Sequence, residues 1–179
     1  MQLATDRLIL REFVEDDWGA LHAIESIPDV VRYQSFAPRS EDDARVYVQG
    51  IIVSARELPR TTFDLAITIK GDDTLRGRVG MMRNAAETRE AMLWFVIAPA
   101  AAGKGYATEA AGAMLAYAFE ALKLHRVYGD CDERNVASAR VMEKLGMRRE
   151  GHFLQNVWIK DEWCDSLNFA MLDHEWAAR

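Results

Sequence analysis

Apolar residues recur along this chain with helical spacing in four stretches, where positions three and four residues apart share one face. Asp16 can cap the first helix, which Pro28 ends, and Ser40 precedes the second with acidic residues in its first turn. Gly146 ends the fourth as a left-handed cap. The spacing predicts four helices, over residues 16–27, 40–58, 107–122 and 135–145.

Seven shorter stretches outside these helices have the composition of strands. They cover residues 7–13, 63–69, 75–82, 91–97, 126–131, 147–159 and 165–172. The second and third flank the turn Lys70-Gly71-Asp72-Asp73, so we expect them to pair. Strands that alternate with helices indicate an α/β fold with a mixed sheet.

Length and composition narrow the classes of protein. The 179 residues contain no repeat or linker, which predicts a single domain over residues 1–179. We expect neither a membrane span nor a signal peptide, because no apolar run approaches ~18 residues and no basic region precedes an apolar core. Cys131 and Cys164 lie far apart, which indicates reduced thiols packed in strands of a cytoplasmic protein. The net charge of −6 argues against broad nucleic-acid binding and suits cationic substrates.

The sequence Gly103-Lys104-Gly105-Tyr106-Ala107-Thr108 joins a glycine-punctuated turn to the third predicted helix. Glycines let a ligand approach the backbone closely, and the first turn of a helix offers unpaired N–H groups to an anion. The stretch lacks the third glycine of a dinucleotide fingerprint, and its lysine is not followed by Ser or Thr as in a P-loop. A simple turn is the alternative interpretation. The loop is suited to wrapping a pyrophosphate.

Residues 97–110 resemble the acetyl-CoA-binding loop of the GNAT acyltransferase superfamily. That family's pattern is Gln or Arg, two residues, Gly, one residue, then Gly or Ala. It falls here on Ala102, Gly105 and Ala107, so alanine replaces the leading Gln or Arg. Residues 5–11 and 135–151 resemble the ribosomal-protein N-terminal acetyltransferase (RimJ/RimL-like) subgroup, and three matching blocks occur in the right order.

The resemblance implies a mostly antiparallel seven-stranded sheet with about four helices, splayed between the strand ending at Ile97 and the strand at Val127. It also implies acetyl-CoA as co-substrate and acetyl transfer to a primary amine. The residues it places at acetyl-CoA are Phe95, Val96, Ile97, Gly103, Lys104, Gly105, Tyr106, Ala107, Thr108, Asn135 and Ser138.

Roles within this set follow from the chemistry of the transfer. A backbone N–H on the strand at 93–96 would donate to the thioester oxygen. Asn135 would hydrogen-bond the pantetheine arm, or cap the fourth helix, or both. Ser138 would act as the acid for the leaving thiolate, since Met142 occupies the position of the tyrosine that other members use. A purely structural Ser138 is the alternative.

The general base is left unassigned, because Met92 and Val157 occupy the positions where the subgroup carries carboxylates. Water relayed to Glu133, Asp130 or Glu162 is one option. We expect no metal site, because the four histidines show no metal-ligand spacing; they are His22, His125, His152 and His174.

The predicted acceptor is a protein or peptide N-terminal α-amine, which attacks directly. An α-amine, with a pKa of about 7.7–8.0, is partly neutral at pH 7, whereas a lysine amine near 10.4 needs more help. The alternatives are an antibiotic or polyamine acetyltransferase and a catalytically idle acyl-CoA-binding module. Loops at 33–39 and 153–163 are expected to line the acceptor pocket. We expect a monomer or homodimer, with no nucleic-acid or membrane partner.

Overall fold

One eight-stranded sheet runs through the computed structural model, which describes residues 1–85 and 88–179. Its strand order is β1-β2-β3-β4-β5-β6-β8-β7, and every neighbouring pair is antiparallel except β5 and β6. The strands are β1 (Gln2–Ala4), β2 (Leu8–Arg11), β3 (Thr62–Ile69), β4 (Asp72–Met82), β5 (Glu90–Ile97), β6 (Arg126–Asp132), β7 (Arg148–Ile159) and β8 (Glu162–Leu172).

Helices cover the two faces of this sheet. The helices are α1 (Asp17–Glu25), α2 (Pro28–Val31), α3 (Glu41–Ser54), α4 (Tyr106–Ala116), α5 (Val136–Lys144) and α6 (Asp173–Ala177). Along β3, Leu65 and Ile67 pack in the core under α4 and α5, and Ala66 packs in the second core under α1 and α3. No helix of the described chain combines the length and apolar character that crossing a membrane requires.

The predicted mixed, mostly antiparallel fold is confirmed, but the predicted count of seven strands is wrong. The additional strand is β1, whose Gln2 pairs with Arg11 and Ala4 with Ile9 of β2. It escapes sequence analysis because it has only three residues, too few to show an alternating pattern.

The four predicted helices correspond to α1, α3, α4 and α5. Of the residues predicted to begin or end these helices, some have that role and others do not. Ser40 caps α3 through a reciprocal pair of hydrogen bonds with Asp43, as expected. Asp16 makes no capping bond; Asp17 instead accepts a hydrogen bond from the Val14 N–H at 2.8 Å. Pro28 begins the short α2, because proline suits the first position of a helix.

The predicted splay lies between β5 and β6. These strands pair only from Glu90 with Arg126 to Met92 with Tyr128. Just after β5, the Ala98 N–H donates to the Arg76 carbonyl at 2.8 Å. The N–H groups on this side of β5 therefore face β4. Because successive residues of a strand point their N–H groups to opposite sides, those of Phe95 and Ile97 face the opening. The sheet therefore presents unpaired backbone donors at its centre.

A buried ionic cluster holds the segment between α2 and α3. Glu25, which is fully buried, bonds Arg39 and Arg78 at 2.6 Å each, and Arg78 also bonds the buried Asp64 at 3.0 Å. The Arg39 N–H donates to the Glu25 carbonyl at 3.0 Å. These bonds hold the end of the 32–39 segment in place.

Candidate active site

The turn before α4 exposes a row of backbone donors. Gly103 and Gly105 adopt positive φ angles of 75° and 81°, which glycine reaches without strain. From Gly103 onward, the first backbone N–H that has an acceptor in the described chain is that of Glu109. It donates to the Gly105 carbonyl at 3.0 Å. The N–H groups of residues 103–108 are therefore available to an anion at a helix N-terminus.

Glu109 fixes this turn to the first hairpin of the sheet. Its carboxylate accepts hydrogen bonds from the Thr5 hydroxyl at 2.6 Å and the Arg7 N–H at 2.9 Å. The Arg7 guanidinium bonds the same carboxylate at 2.6 Å and the Lys104 carbonyl at 3.0 Å. Burial opposes ionisation, but the bonds from Thr5 and Arg7 outweigh it and hold the pKa of Glu109 below its usual range. These bonds tie the loop to the β1–β2 hairpin.

A cleft of about 510 Å³ runs from this loop to α5. It contains every residue that the sequence places at acetyl-CoA except Lys104, together with Ala102. The Lys104 ammonium instead turns back to the Ala100 carbonyl at 2.9 Å. Sequence analysis missed Arg140 and Lys144, which also line the cleft from the exposed side of α5. Their spacing of four residues is the signal that could have identified them.

Asn135 and Ser138 stand together at the start of α5. The Asn135 side chain accepts a hydrogen bond from the Ser138 N–H at 3.1 Å, so the capping interpretation is correct. The Ser138 hydroxyl bonds no other residue of the described chain and lines the cleft. It is free to act on a ligand.

A second cavity of about 260 Å³ opens from the same place. The two cavities share Tyr33, Gln34, Phe95, Asn135 and Ser138. Met92 and Val157 both lie in the wall of the second cavity, where the sequence comparison expected carboxylates. The expected loops contribute Tyr33, Gln34 and Ser35 on one side and Val157 and Ile159 on the other.

Most acidic groups around the second cavity are engaged by partners. Arg134 bonds Asp132 at 2.6 Å and Glu162 at 2.9 Å, and the bond to Arg134 lowers the pKa of each carboxyl. Glu133 pairs with His152 at 2.9 Å. Of the three acids suggested for a water relay, only Asp130 lines the cavity.

Asp130 has no such partner. Among the residues that the structure describes, none outside its own backbone donates a hydrogen bond or an ion pair to its carboxylate. The surrounding walls desolvate the group and raise the pKa of Asp130, although part of its surface is exposed.

Both cysteines lie in strands, as predicted, and both line the second cavity as free thiols. Burial raises the pKa of Cys131 to about 12 and also raises the pKa of Cys164. Neither group supplies a thiolate nucleophile near neutral pH.

Within the described residues, the fold brings together a trio of acidic and histidine side chains that sequence spacing did not reveal. Ligand atoms of Glu133, His152 and Asp165 lie within 4.8 Å of one another, on a turn and two strands. The contact of the His152 ring with Glu133 and the hydrogen bond from the Gln155 N–H to Asp165, at 2.6 Å, account for their positions.

Comparison with known proteins agrees with this geometry. The acetyltransferase (GNAT) domain family matches residues 7–148. The uncharacterized N-acetyltransferase YnaD of Bacillus subtilis is 34% identical over 177 residues, covering 98% of this chain and 99% of that protein. A GNAT-family acetyltransferase crystal structure from Bacillus anthracis superposes with a TM-score of 0.88 at 33% identity, covering 98% of this chain and 100% of that chain.

Relatives of lower identity or coverage carry names that specify different acceptors. The putative ribosomal N-acetyltransferase YdaF of Bacillus subtilis is 30% identical over 141 residues, covering 79% of this chain and 77% of that protein. The spermidine N(1)-acetyltransferase of Escherichia coli K12 is 22% identical over 169 residues, covering 94% of this chain and 88% of that protein. The resemblance seen in the sequence is confirmed: the chain belongs to the GNAT family and is an acetyl-CoA-dependent N-acetyltransferase.

Proposed function

We propose that the acceptor is a primary amine, namely the N-terminal α-amine of a protein or peptide, which attacks the acetyl group directly. The observation that carries this proposal is the junction of the two cavities at Phe95, Asn135 and Ser138. A donor in the larger cleft and an amine in the smaller cavity meet there without a covalent enzyme intermediate.

The larger cleft supplies the groups that hold acetyl-CoA. The N–H groups of residues 103–108 and the dipole of α4 bind the pyrophosphate. Arg140 and Lys144 add positive charge on the opposite wall. The unpaired backbone N–H of Ile97 bonds the pantetheine arm within the splay, assisted by the Asn135 amide. The co-substrate supplies the activated acetyl group.

Three groups then serve the transfer. The Phe95 N–H donates to the acetyl carbonyl oxygen and stabilises the negative charge that develops as the amine adds to the carbonyl carbon. The C–S bond breaks as the tetrahedral adduct collapses. The Ser138 hydroxyl donates its proton to the departing sulfur and recovers one from the adduct nitrogen.

The choice of an α-amine rests on the cost of deprotonation. Met92 and Val157 give an apolar wall where the subgroup carries carboxylates, so neither of these two positions supplies a base. A lysine side chain is about 2.5 pKa units more basic than an α-amine, which adds about 3.4 kcal/mol to the cost of a neutral nucleophile. The name of YdaF, a putative ribosomal N-acetyltransferase, supports a protein acceptor.

A polyamine is the second candidate acceptor. Asp130 and Asp165 both line the acceptor cavity and would attract a polycation, and a spermidine acetyltransferase is among the relatives. The two carboxylates would each pair with one positive charge of the polyamine, whereas a peptide N-terminus carries a single charge.

An acceptor panel tests the proposal. The purified protein is given acetyl-CoA with a peptide bearing a free N-terminus, the same peptide with a blocked N-terminus and one internal lysine, or spermidine. Release of CoA and the mass of the product are measured. We expect turnover chiefly with the free N-terminus. A preference for spermidine or for the blocked peptide contradicts the α-amine proposal, and acetyl-CoA binding by calorimetry without turnover of any amine contradicts transferase activity.

A further inference from the structure

We propose that Asp130 is the general base of the reaction and accepts the proton of the incoming ammonium group. This inference rests on the proposed amine transfer, but it does not depend on which amine is the natural acceptor.

The position of Asp130 follows from the splay of the sheet. It lies on β6 two residues beyond Tyr128, which makes the last pair with β5, so the strand is separating from β5 at this point. Its neighbour Cys131 packs in the core under α4 and α5. Both residues line the acceptor cavity, but Cys131 is buried whereas Asp130 is exposed.

The charges around the cavity leave Asp130 as the free proton acceptor. On the same strand, Asp132 is bound by Arg134, and on β8 Asp165 accepts the Gln155 N–H. The other titratable groups that line the cavity are Tyr33, Cys131 and Cys164. The facing wall on β5 contributes Met92 and Trp94, which carry no charge.

The acceptor loses its proton directly to the Asp130 carboxylate. The acceptor enters as an ammonium ion and pairs with the ionised Asp130. One N–H bond of the ammonium breaks, its proton forms an O–H bond with the carboxylate, and the nitrogen keeps the electron pair with which it attacks the acetyl carbon. The proton leaves Asp130 to water after the product departs. Desolvation raises the pKa of Asp130, which reduces the mismatch with the amine.

The dependence of kcat/KM on pH distinguishes this mechanism from an unassisted attack. With Asp130 as base, activity requires the carboxylate ionised and the amine protonated. Two acceptors of different amine pKa then share one acidic limb, fixed by the enzyme. Without a base, activity follows the neutral fraction of each amine and rises to that amine's own pKa.

The experiment compares wild-type enzyme with Asp130→Asn, using the two acceptors of the panel that turn over fastest and differ in amine pKa. For the variant we expect a loss of about 10²–10⁴ in kcat/KM at neutral pH. We also expect its profiles to separate, each rising to the pKa of its acceptor. The acetyl-CoA dissociation constant should be unchanged. Asp16→Asn, at an exposed position that makes no capping bond and lies outside both cavities, is the matched control and should behave as wild type.

Two kinetic results overturn the inference. One is a wild-type profile that already follows the pKa of each acceptor; the other is a shared acidic limb that persists in Asp130→Asn and disappears in Asp165→Asn. A measurement without turnover is the ¹³C NMR titration of the Asp130 carboxyl, assigned by the Asp130→Asn variant. An ordinary carboxyl pKa near 3.9 there also contradicts the proposal. Failure of the α-amine proposal appears separately, in the acceptor panel.

Discussion

Ser138 is a residue whose removal should affect chemistry and little else. Its hydroxyl bonds no other described residue, while its backbone N–H keeps the bond to Asn135 whatever the side chain. We therefore predict that Ser138→Ala lowers kcat by up to about 10²-fold, because protonation of the leaving thiolate is lost, with acetyl-CoA affinity unchanged. Steady-state kinetics and calorimetry measure the two quantities.

Ser54→Ala is a matched control for this variant, since Ser54 bonds the Ile51 carbonyl on α3 and lies outside both cavities. An unchanged kcat for Ser138→Ala, with chemistry shown to be rate-limiting, would remove the hydroxyl from the mechanism.

Local geometry decides which residues the sequence could identify. Gly105, Asn135 and Gly146 were predictable because a positive φ or a capping bond depends on the few residues beside them. The direction of Lys104 was not, because it depends on the Ala100 carbonyl that its ammonium finds in the folded loop. The sequence also could not show that Asp130 is free while Glu162 is paired. That difference arises because Arg134 bonds Glu162 in the folded protein.

At the scale of elements, the contact between α4 and the β1–β2 hairpin depends on one carboxylate. Glu109 bonds Thr5 and Arg7, and its side chain is only 17% exposed. We predict that Glu109→Gln lowers the free energy of unfolding at pH 7 by about 1.5–3 kcal/mol, the usual range for hydrogen bonds to a charged group.

This difference should shrink in acid. The pKa of Glu109 is lowered in the folded protein, so its stabilisation is present above the unfolded-state pKa of about 4.3 and is lost as the pH falls through the folded value. Urea unfolding of both proteins at several pH values measures it, with Glu57→Gln as the control on an exposed residue. A constant difference across this range would mean that the charge of Glu109 contributes nothing.

Elements long enough to show a period were predicted, and shorter ones were not. The helices α2 and α6 have four and five residues, and β1 has three, so none of them completes a recognisable pattern. The irregular pairing of β7 was also missed: Phe153 lies opposite Ser166, but the next pair is Val157 with Cys164. Such a bulge depends on the partner strand, which the local sequence does not specify.

At the scale of the whole molecule, the periodicity indicated strands and helices but not how the strands are ordered. The parallel contact of β5 with β6 needs a crossover connection, which α4 supplies, and α4 and α5 pack on the same face of the sheet. The splay itself was predicted only through the family resemblance. Physically, it depends on contacts between segments that are distant in the chain.

The splay has a consequence for the exchange of amide hydrogens with solvent. Alternate residues of β5 face different neighbours, so the N–H groups of Trp94 and Val96 bond β4 while those of Phe95 and Ile97 face the opening. In the free enzyme we predict slow exchange at the first pair and fast exchange at the second, within one central strand. Adding CoA should slow Phe95 and Ile97 and leave the other two unchanged.

Residue-resolved NMR exchange, with and without CoA, measures this alternation. Equal protection at all four amides of the free enzyme would show that the two halves of the sheet close on each other in solution. If the alternation is found, the middle of this sheet behaves like a sheet edge until the co-substrate binds. The degree of protection at Phe95 and Ile97 then measures the fraction of enzyme molecules that have co-substrate bound.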